Sequence, residues 1–306
     1  MIHHTFYKYF SKLAALVILT GAVGASGLQF AQASTETLKA TIGSKALLAD
    51  LVLPDDPPPP ETPLVILVHG TLAHKDMELI ENLQTLLAER DIPSLAPTLS
   101  LNVDNRVGFY DCSIPSTHRW EHAIAEILRW VTVAKDKGYA RIIIAGHSRG
   151  GMQVAAYLAG EPDPLVIGGV LVAPATGGKG IPDDLAETVA KAQTLVDAGQ
   201  DNTLMDVPRL LYCEDTKASA NAMLSYHGPN PRRSTPVLLK DTNLPLLVIA
   251  GSSDEVVPDV AEKIGPLAEA SDQITLEIVE DAGHMFLDFY SEDVADLISD
   301  FLETLH

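Results

Sequence analysis

The chain alternates between short, continuously apolar runs and longer segments whose apolar residues recur every three or four positions. A continuous apolar run bounded by turn residues is typical of a strand buried on both faces, as in a parallel sheet. Apolar residues at helical spacing predict amphipathic helices that cover such a sheet. Strands and helices alternate, so the pattern predicts an α/β fold with a doubly wound, mostly parallel sheet. The strands are predicted at 64–68, 92–97, 141–145, 166–173, 244–250 and 274–279.

Each predicted helix carries one apolar stripe. In the first, the stripe consists of Leu79, Ile80, Leu83, Leu86 and Leu87. The second helix is predicted to be capped by Ser116 or Thr117, to end at Gly138, and to bury Trp120, Ala123, Ile124, Ile127, Leu128 and Val131. A third is predicted over 152–159. The last is predicted to be capped by Ser291 and to bury Val294, Leu297, Ile298, Phe301 and Leu302.

Two regions depart from the alternation. Residues 38–42 and 46–53 predict edge strands before the Pro-rich stretch 57–60. The stretch from Thr176 to Asp241 predicts a helix near 183–198 and then polar, proline-containing sequence. We interpret residues 176–241 as a lid-like insertion over the carboxyl edge of the sheet, within a single domain that spans 34–306.

The first 33 residues resemble a secretory signal peptide. Lys8 and Lys12 precede an apolar run at 13–23, and Ala31-Gln32-Ala33 forms a small-residue cleavage site. The run is short for a bilayer span, although an uncleaved anchor is the alternative. The sequence therefore predicts an exported protein, periplasmic or secreted, without a stable membrane span after cleavage.

Charge and cysteine content narrow the choice of partners. The chain has 306 residues, 41 acidic and 21 basic, with a net charge of −20. Such a surface repels nucleic acid and anionic lipid, but it says little about a small-molecule substrate, because the charge of a pocket can differ from the net sign. The oligomeric state stays open. The two cysteines, Cys112 and Cys213, could form a disulfide in an exported protein, but the sequence alone does not show whether they meet.

The segment Gly146-His147-Ser148-Arg149-Gly150 is a G-x-S-x-G motif. In this motif the serine occupies a sharp turn between a strand and a helix, where larger residues at the glycine positions would collide with the neighbouring backbone. Here a predicted strand leads into the motif and a helix of small residues leads out of it. Ser148 is therefore the predicted nucleophile.

The ends of three other predicted strands carry the remaining candidates. Thr71 follows the strand 64–68, and its backbone N–H, with Leu72 as second choice, is predicted to form an oxyanion hole with the N–H of Arg149. Asp254 follows 244–250 and is the predicted acid of the triad, with Glu255 as the alternative. His284 follows 274–279 and is the predicted base. His69 is interpreted as a structural residue that holds its turn.

These pieces, His69-Gly70, the G-x-S-x-G motif, the stretch 251–258 and Gly283-His284, together resemble the α/β-hydrolase superfamily over residues 34–306. The order serine, aspartate, histidine along the chain is the order of that superfamily. The residues Thr71-Leu72 replace the extra glycines of the H-G-G-G pattern found in one lipase group. The resemblance implies the α/β-hydrolase fold and a two-step acyl transfer that needs no cofactor and no metal.

The resemblance leaves the substrate open. A carboxylic ester is the preferred hypothesis. A serine peptidase or amidase, and a thioesterase, could use the same triad, and a catalytically silent binding protein is a further alternative. Within the insertion, Tyr212, Met223, Leu224 and Tyr226 could line an apolar cavity or belong to the core. Arg232 and Arg233 could meet an acidic substrate, although a solvated surface is the preferred interpretation.

A competing motif is His118-Arg119-Trp120-Glu121-His122, which fits the H-x-x-E-H pattern of a group of zinc peptidases. Two histidines four residues apart share one face of a helix. That face lies nearly opposite the predicted apolar stripe, so both histidines are expected to point to solvent. The sequence therefore disfavours a zinc site here.

Overall fold

The computed structural model describes residues 33–178 and 180–305. The predicted signal peptide, residues 1–33, lies outside the described residues except for Ala33. None of the helices in the described ranges has the length and hydropathy that a bilayer span requires.

The strands are β1 Ser34–Ile42, β2 Lys45–Leu53, β3 Leu64–Val68, β4 Ser94–Thr98, β5 Ile142–His147, β6 Val166–Val172, β7 Leu204–Leu210, β8 Cys213–Ser219, β9 Leu246–Gly251 and β10 Ile274–Val279. The helices are α1 Glu78–Ala88, α2 Trp120–Asp136, α3 Arg149–Leu158, α4 Ala186–Asp197, α5 Ala220–His227, α6 Thr235–Leu239, α7 Val260–Glu269 and α8 Tyr290–Glu303. A short 3₁₀ turn at Asp183–Leu185 precedes α4.

Eight strands form one sheet in the order β1-β2-β4-β3-β5-β6-β9-β10. Strand β2 runs antiparallel to both of its neighbours, and every pairing from β4 to β10 is parallel. The predicted α/β fold with a mostly parallel sheet is therefore confirmed.

The sheet is covered on both faces, which explains the continuous apolar runs. Along β3, Leu64, Ile66 and Val68 pack in a cluster with residues of α2, α3 and α7, whereas Val65 and Leu67 pack in a second cluster with α1 and α8. Because alternate residues of a strand point to opposite faces, a strand between two helical layers must be apolar throughout.

Two predicted helix starts are wrong. Helix α2 begins at Trp120, and Ser116 instead pairs with the backbone of β8, donating its N–H to the carbonyl of Lys217 at 2.8 Å. A long-range backbone pairing has here replaced the local cap. Helix α8 begins at Tyr290, so Ser291 lies in its first turn and donates its hydroxyl to the carbonyl of Asp288.

The stripe predicted for α2 is also corrected in part. Leu128 is 47% exposed, and Trp130, outside the predicted stripe, is fully buried. Burial in this helix is therefore set by what packs against it, and the periodic pattern alone did not separate these two residues.

Between β6 and β9, the inserted segment contains α4 close to the predicted position and a two-stranded hairpin of β7 and β8 that was not predicted. Within β7, buried Met205 and Val207 alternate with exposed residues, which is a strand signal. Pro208 obscured it, because proline is rare within paired strands. Buried residues of the segment belong to the same apolar cluster as one face of the main sheet.

Candidate active site

Strands β3, β5, β9 and β10 run parallel and end at the same edge of the sheet. In open α/β sheets, ligands bind at this carboxyl edge, outside the ends of the strands. The turn after β3 holds His69 and Thr71, and Ser148 follows β5 directly. The loops after β9 and β10 hold Asp254 and His284.

Ser148 adopts a backbone conformation that a non-glycine residue rarely takes, with φ 56° and ψ −121°. The flanking glycines make this turn possible. A Cβ on Gly146 would lie 2.6 Å from the carbonyl oxygen of Gly150, and one on Gly150 would collide with the carbonyl oxygen of His69. Ser148 therefore sits on a strained strand-to-helix turn with the geometry of a nucleophile elbow.

The structure brings the three predicted triad residues together. The Ser148 hydroxyl lies 3.0 Å from Nε2 of His284, and Nδ1 of His284 lies 2.8 Å from Oδ2 of Asp254. The Asp254 side chain is 1% exposed and that of His284 is 10% exposed. A carboxylate that accepts a hydrogen bond from Nδ1 holds the imidazole in the tautomer whose Nε2 can take the serine proton.

Asp254 is held from its other side. Its Oδ1 accepts hydrogen bonds from the backbone N–H groups of Val256 and Val257, both at 2.8 Å. The neighbouring Glu255, the alternative acid, is exposed. Of the two acids, the one that contacts His284 is Asp254.

The turn after β3 is built around His69, which is buried. Its Nδ1 lies 2.8 Å from the carbonyl of Gly70, and its Nε2 accepts a hydrogen bond from the N–H of Leu99. Burial and the nearby Arg106 lower the pKa of His69 to about 3, so the ring stays neutral. These contacts give His69 the turn-holding arrangement that the sequence suggested.

Arg106, which was not predicted as a site residue, holds the same turn from the other side. This guanidinium is 5% exposed and donates to the carbonyls of Leu99, Gly108 and Ala73. Burial lowers its pKa to about 10. No motif surrounds Arg106 in the sequence, so local patterns could not have found it.

Thr71 and Arg149 also meet at the site. The Thr71 hydroxyl accepts a hydrogen bond from Nε of Arg149 at 3.0 Å. Within the described ranges, the backbone N–H groups of Thr71, Leu72 and Arg149 have no hydrogen-bond acceptor in the protein. Arg149 is the first residue of α3, where helix geometry leaves the N–H free. These groups are the donors that the sequence analysis selected for an oxyanion hole.

The profile of the alpha/beta hydrolase family matches residues 65–297, most of the chain. The chain belongs to the alpha/beta hydrolase family. Among solved structures it is similar to Est1E from Butyrivibrio proteoclasticus, at 20% identity and a TM-score of 0.61 over 88% of this chain and 98% of that one. It is also similar to an esterase of Pyrococcus furiosus, at 15% identity and a TM-score of 0.57 over 89% of this chain and 92% of that one. No curated protein matches the sequence.

One further residue of this alpha/beta hydrolase contacts the triad without having been predicted to do so. His147 lies before the serine, is buried, and donates its Nε2 proton to the backbone carbonyl of His284 at 2.8 Å. Burial, followed by repulsion from His284, lowers the pKa of His147 to about 4, so its ring is neutral above that pH. This bond ties the loop that carries His284 to the elbow that carries Ser148.

The H-x-x-E-H motif does not face solvent as predicted. His118 precedes α2, is 1% exposed, and its Nδ1 lies 2.9 Å from the Tyr226 hydroxyl of the insertion. His122 instead contacts Arg119. The two histidines therefore have separate protein partners. In the parts of the chain that the structure describes, no three His, Cys, Asp or Glu side chains are placed to hold a metal ion.

Cys112 and Cys213 are joined by a disulfide, with their Cα atoms 5.2 Å apart. The bond connects the loop before α2 to the start of β8 in the insertion. Cys213 packs against Leu72 and Tyr110, beside the turn after β3. The disulfide therefore anchors the insertion next to the candidate oxyanion hole.

Two cavities open on Ser148. The larger, of about 710 Å³, extends below the insertion, and the smaller, of about 440 Å³, lies beside the turn after β3. Both are lined by Thr71, Ser148, Tyr212 and Val256, so they meet at the serine. Apolar side chains dominate the smaller cavity: Leu72, Met77, Leu79, Ile80, Phe109 and Met285.

The four candidate lining residues of the insertion divide between the two alternatives that the sequence left open, a cavity wall or the core. Tyr212 and Tyr226 line the larger cavity. Met223 is fully buried in the core, and Leu224 packs against it.

Proposed function

We propose that this alpha/beta hydrolase is an exported serine esterase that cleaves a carboxylic ester of a small molecule through an acyl-enzyme intermediate. The observation that carries the proposal is the continuous hydrogen-bonded chain from Ser148 through His284 to Asp254, placed where two cavities meet. Family membership supports a hydrolase. The esterase among the structural neighbours and the cavity volumes favour a small ester.

In the proposed mechanism, His284 takes the proton of Ser148 as the hydroxyl attacks the ester carbonyl. The imidazolium that forms is stabilised by Asp254. The developing oxyanion is bound by the backbone N–H of Arg149 and by that of Thr71, or of Leu72 in its place. Loss of one such donor typically costs about 10²–10³ in rate.

The second half of the reaction uses the same groups. His284 protonates the departing alcohol, then activates a water molecule that hydrolyses the acyl-Ser148 ester. Because the two cavities meet at Ser148, the acyl group and the alcohol can occupy different cavities throughout. The Est1E structure that has been described with ferulic acid bound shows a TM-score of 0.62 to this chain at 20% identity, over 88% of this chain and 98% of that one. In that neighbour the fold accommodates a small carboxylic acid.

The test is hydrolysis of p-nitrophenyl esters from acetate to palmitate by the mature protein, beside Ser148→Ala. Ser253→Ala is the matched control, because Ser253 is exposed and lies outside both cavities. We expect turnover that disappears in Ser148→Ala and persists in Ser253→Ala. The dependence of the rate on the length of the acyl chain then indicates the size of the acyl pocket.

A fluorophosphonate probe separates the alternatives. Labelling of Ser148 without ester turnover would favour a peptidase, amidase or thioesterase, and neither labelling nor turnover would favour a silent binding protein. Export is tested separately, by N-terminal sequencing of the protein recovered outside the cytoplasm, which we expect to start at Ser34.

A further inference from the structure

The larger cavity is cationic in a chain that is strongly acidic. Arg149, His227 and Arg233 line it, and no acidic side chain does so among the described residues. The net charge of the chain is −20. Cations concentrated in a partly enclosed cavity attract anions far more strongly than the same charges spread over a solvated surface.

Neither Arg149 nor Arg233 forms a salt bridge with a carboxylate in the described ranges, although Glu121 acts on Arg233 electrostatically. Arg149 uses Nε to contact Thr71, and its guanidinium lies 5.8 Å from the ring centre of Tyr226. Nε of Arg233 and Nε2 of His227 are buried without a hydrogen-bond partner in the protein. A buried polar hydrogen without an acceptor is costly, and a bound ligand can supply the acceptor.

The acids that act electrostatically on these groups have other partners. Glu121, which acts on Arg233, accepts a hydrogen bond from the Ser225 hydroxyl, and Asp184, which acts on His227, pairs with Arg209. Burial, followed by the nearby arginines, lowers the pKa of His227 to about 4, so His227 is neutral near neutral pH and the cations of the cavity are Arg149 and Arg233. Arg149 also repels Arg233. An anion between the two guanidinium groups would offset that repulsion.

We propose that the larger cavity binds a free carboxylate of the substrate, with Arg149 and Arg233 as its cationic ligands. Resting on the proposed esterase function, the inference narrows the substrate class to esters that carry a second, ionised acid group, such as monoesters of dicarboxylic acids. Planar guanidinium groups match carboxylates through paired hydrogen bonds. The apolar cavity on the other side of Ser148 takes the uncharged part of the ester.

The test compares matched charged and neutral esters. On the acyl side, monomethyl adipate is paired with methyl adipamate, and on the alcohol side 4-acetoxybenzoate is paired with 4-acetoxybenzamide. We expect kcat/KM to favour the carboxylate by about 10–100-fold in one pair, the range of a charge-assisted hydrogen bond. In Arg233→Gln we expect the ratio of kcat/KM for the charged ester to kcat/KM for the neutral ester to fall to near one. A general loss of activity affects both esters equally and therefore cancels in this ratio.

The matched control is Arg232→Gln. Arg232 is the adjacent residue, is exposed, pairs with Asp241, and does not line the cavity. We expect it to retain the preference. A wild-type ratio near one in both pairs would overturn the carboxylate site and leave the esterase intact, as would an equal loss of the preference in both arginine variants.

A binding measurement separates failure of the site from failure of the esterase proposal. Ser148→Ala protein is titrated with adipate and with adipamide by calorimetry, with and without Arg233→Gln. Adipate binding that depends on Arg233 supports the site even if no ester is hydrolysed, in which case only the esterase proposal fails. Absence of adipate binding, or adipate binding that Arg233→Gln leaves unchanged, overturns the site whether or not an ester is hydrolysed.

Discussion

Three buried histidines make the stability of this protein steeply dependent on pH in mildly acidic solution. His69 and His118 have pKa values lowered to about 3, and His147 to about 4, with desolvation as the largest cause in each case. In the unfolded chain the pKa of each would lie near the ordinary histidine value of 6.5. Between pH 6.5 and the folded pKa, the unfolded state therefore binds protons that the folded state does not, and stability falls as the pH falls.

The magnitude follows from the linkage relation. At about pH 5 each histidine favours the unfolded state by about 2 kcal/mol relative to about pH 7.5. This change in stability per histidine depends little on the pKa of the histidine in the folded state, as long as that pKa lies below 5. Three such groups sum to about 6 kcal/mol, a large fraction of the stability of a typical domain. His227, which is less buried but also has its pKa lowered to about 4, adds in the same direction. Glu126 opposes them, because burial raises its pKa and it takes up its proton more readily when folded.

The assay is urea unfolding followed by tryptophan fluorescence at about pH 7.5, 6 and 5, for the wild type and His118→Gln. We expect the variant to lose about 2 kcal/mol less than the wild type on acidification. The cost of the substitution itself is the same at each pH, and the contribution of Glu126 is the same in both proteins. Both therefore cancel when the loss of stability on acidification is compared between the variant and the wild type. Equal losses in the two proteins would refute the reasoning.

Three further predictions follow from the site and its surroundings. Replacing Cys112 and Cys213 by serine lowers the free energy of unfolding by about 2–5 kcal/mol, measured by urea unfolding; an unchanged midpoint, in the variant or after reduction, would contradict this. Gly150→Ala destabilises by about 1–3 kcal/mol because its Cβ would collide with the backbone at the end of β3. A Cβ on Gly265 would only make ordinary contact with the Leu276 side chain, at 3.9 Å, so Gly265→Ala is neutral or stabilising in thermal unfolding. His147→Phe lowers kcat by about 10–100-fold with little change in KM, because the loop of the proposed base loses its anchor; a loss confined to KM, or no rescue by His147→Gln, would argue against a positioning role.

Local sequence signals were enough to place a candidate functional side chain wherever it closely follows a buried strand. Ser148, Asp254 and His284 each come within a few residues of a continuous apolar run, so the prediction of the strand also placed the residue at the edge of the sheet. The parallel arrangement then brought the strand ends together. The candidate triad could be predicted because each of its residues required only the pattern of neighbouring residues and a general rule of sheet topology.

The wrong predictions concern residues whose contacts are made with segments far away in the sequence. Ser116 has the chemistry of a helix cap, yet a strand of the insertion, about a hundred residues further along the chain, supplies its partner. The same distance separates His118 from Tyr226, so the burial of His118 depends on an element that sequence patterns did not resolve. A helix-period argument treated His118 as part of α2, although the helix starts after it.

Arg232 and Arg233 show most clearly that local sequence patterns do not predict contacts with distant segments. They are identical, adjacent residues in a polar segment, and the sequence favoured a solvated surface for both, with contact to an acidic substrate as the alternative. In the structure Arg232 pairs with Asp241, whereas Arg233 lines the cavity beside Ser148. The difference arises from the backbone path of the insertion, which places Arg233 next to Gly177, where a Cβ at position 177 would collide with its carbonyl oxygen. The candidate triad of this chain could therefore be predicted from its strand ends, whereas the proposed selectivity depends on how the insertion folds over them.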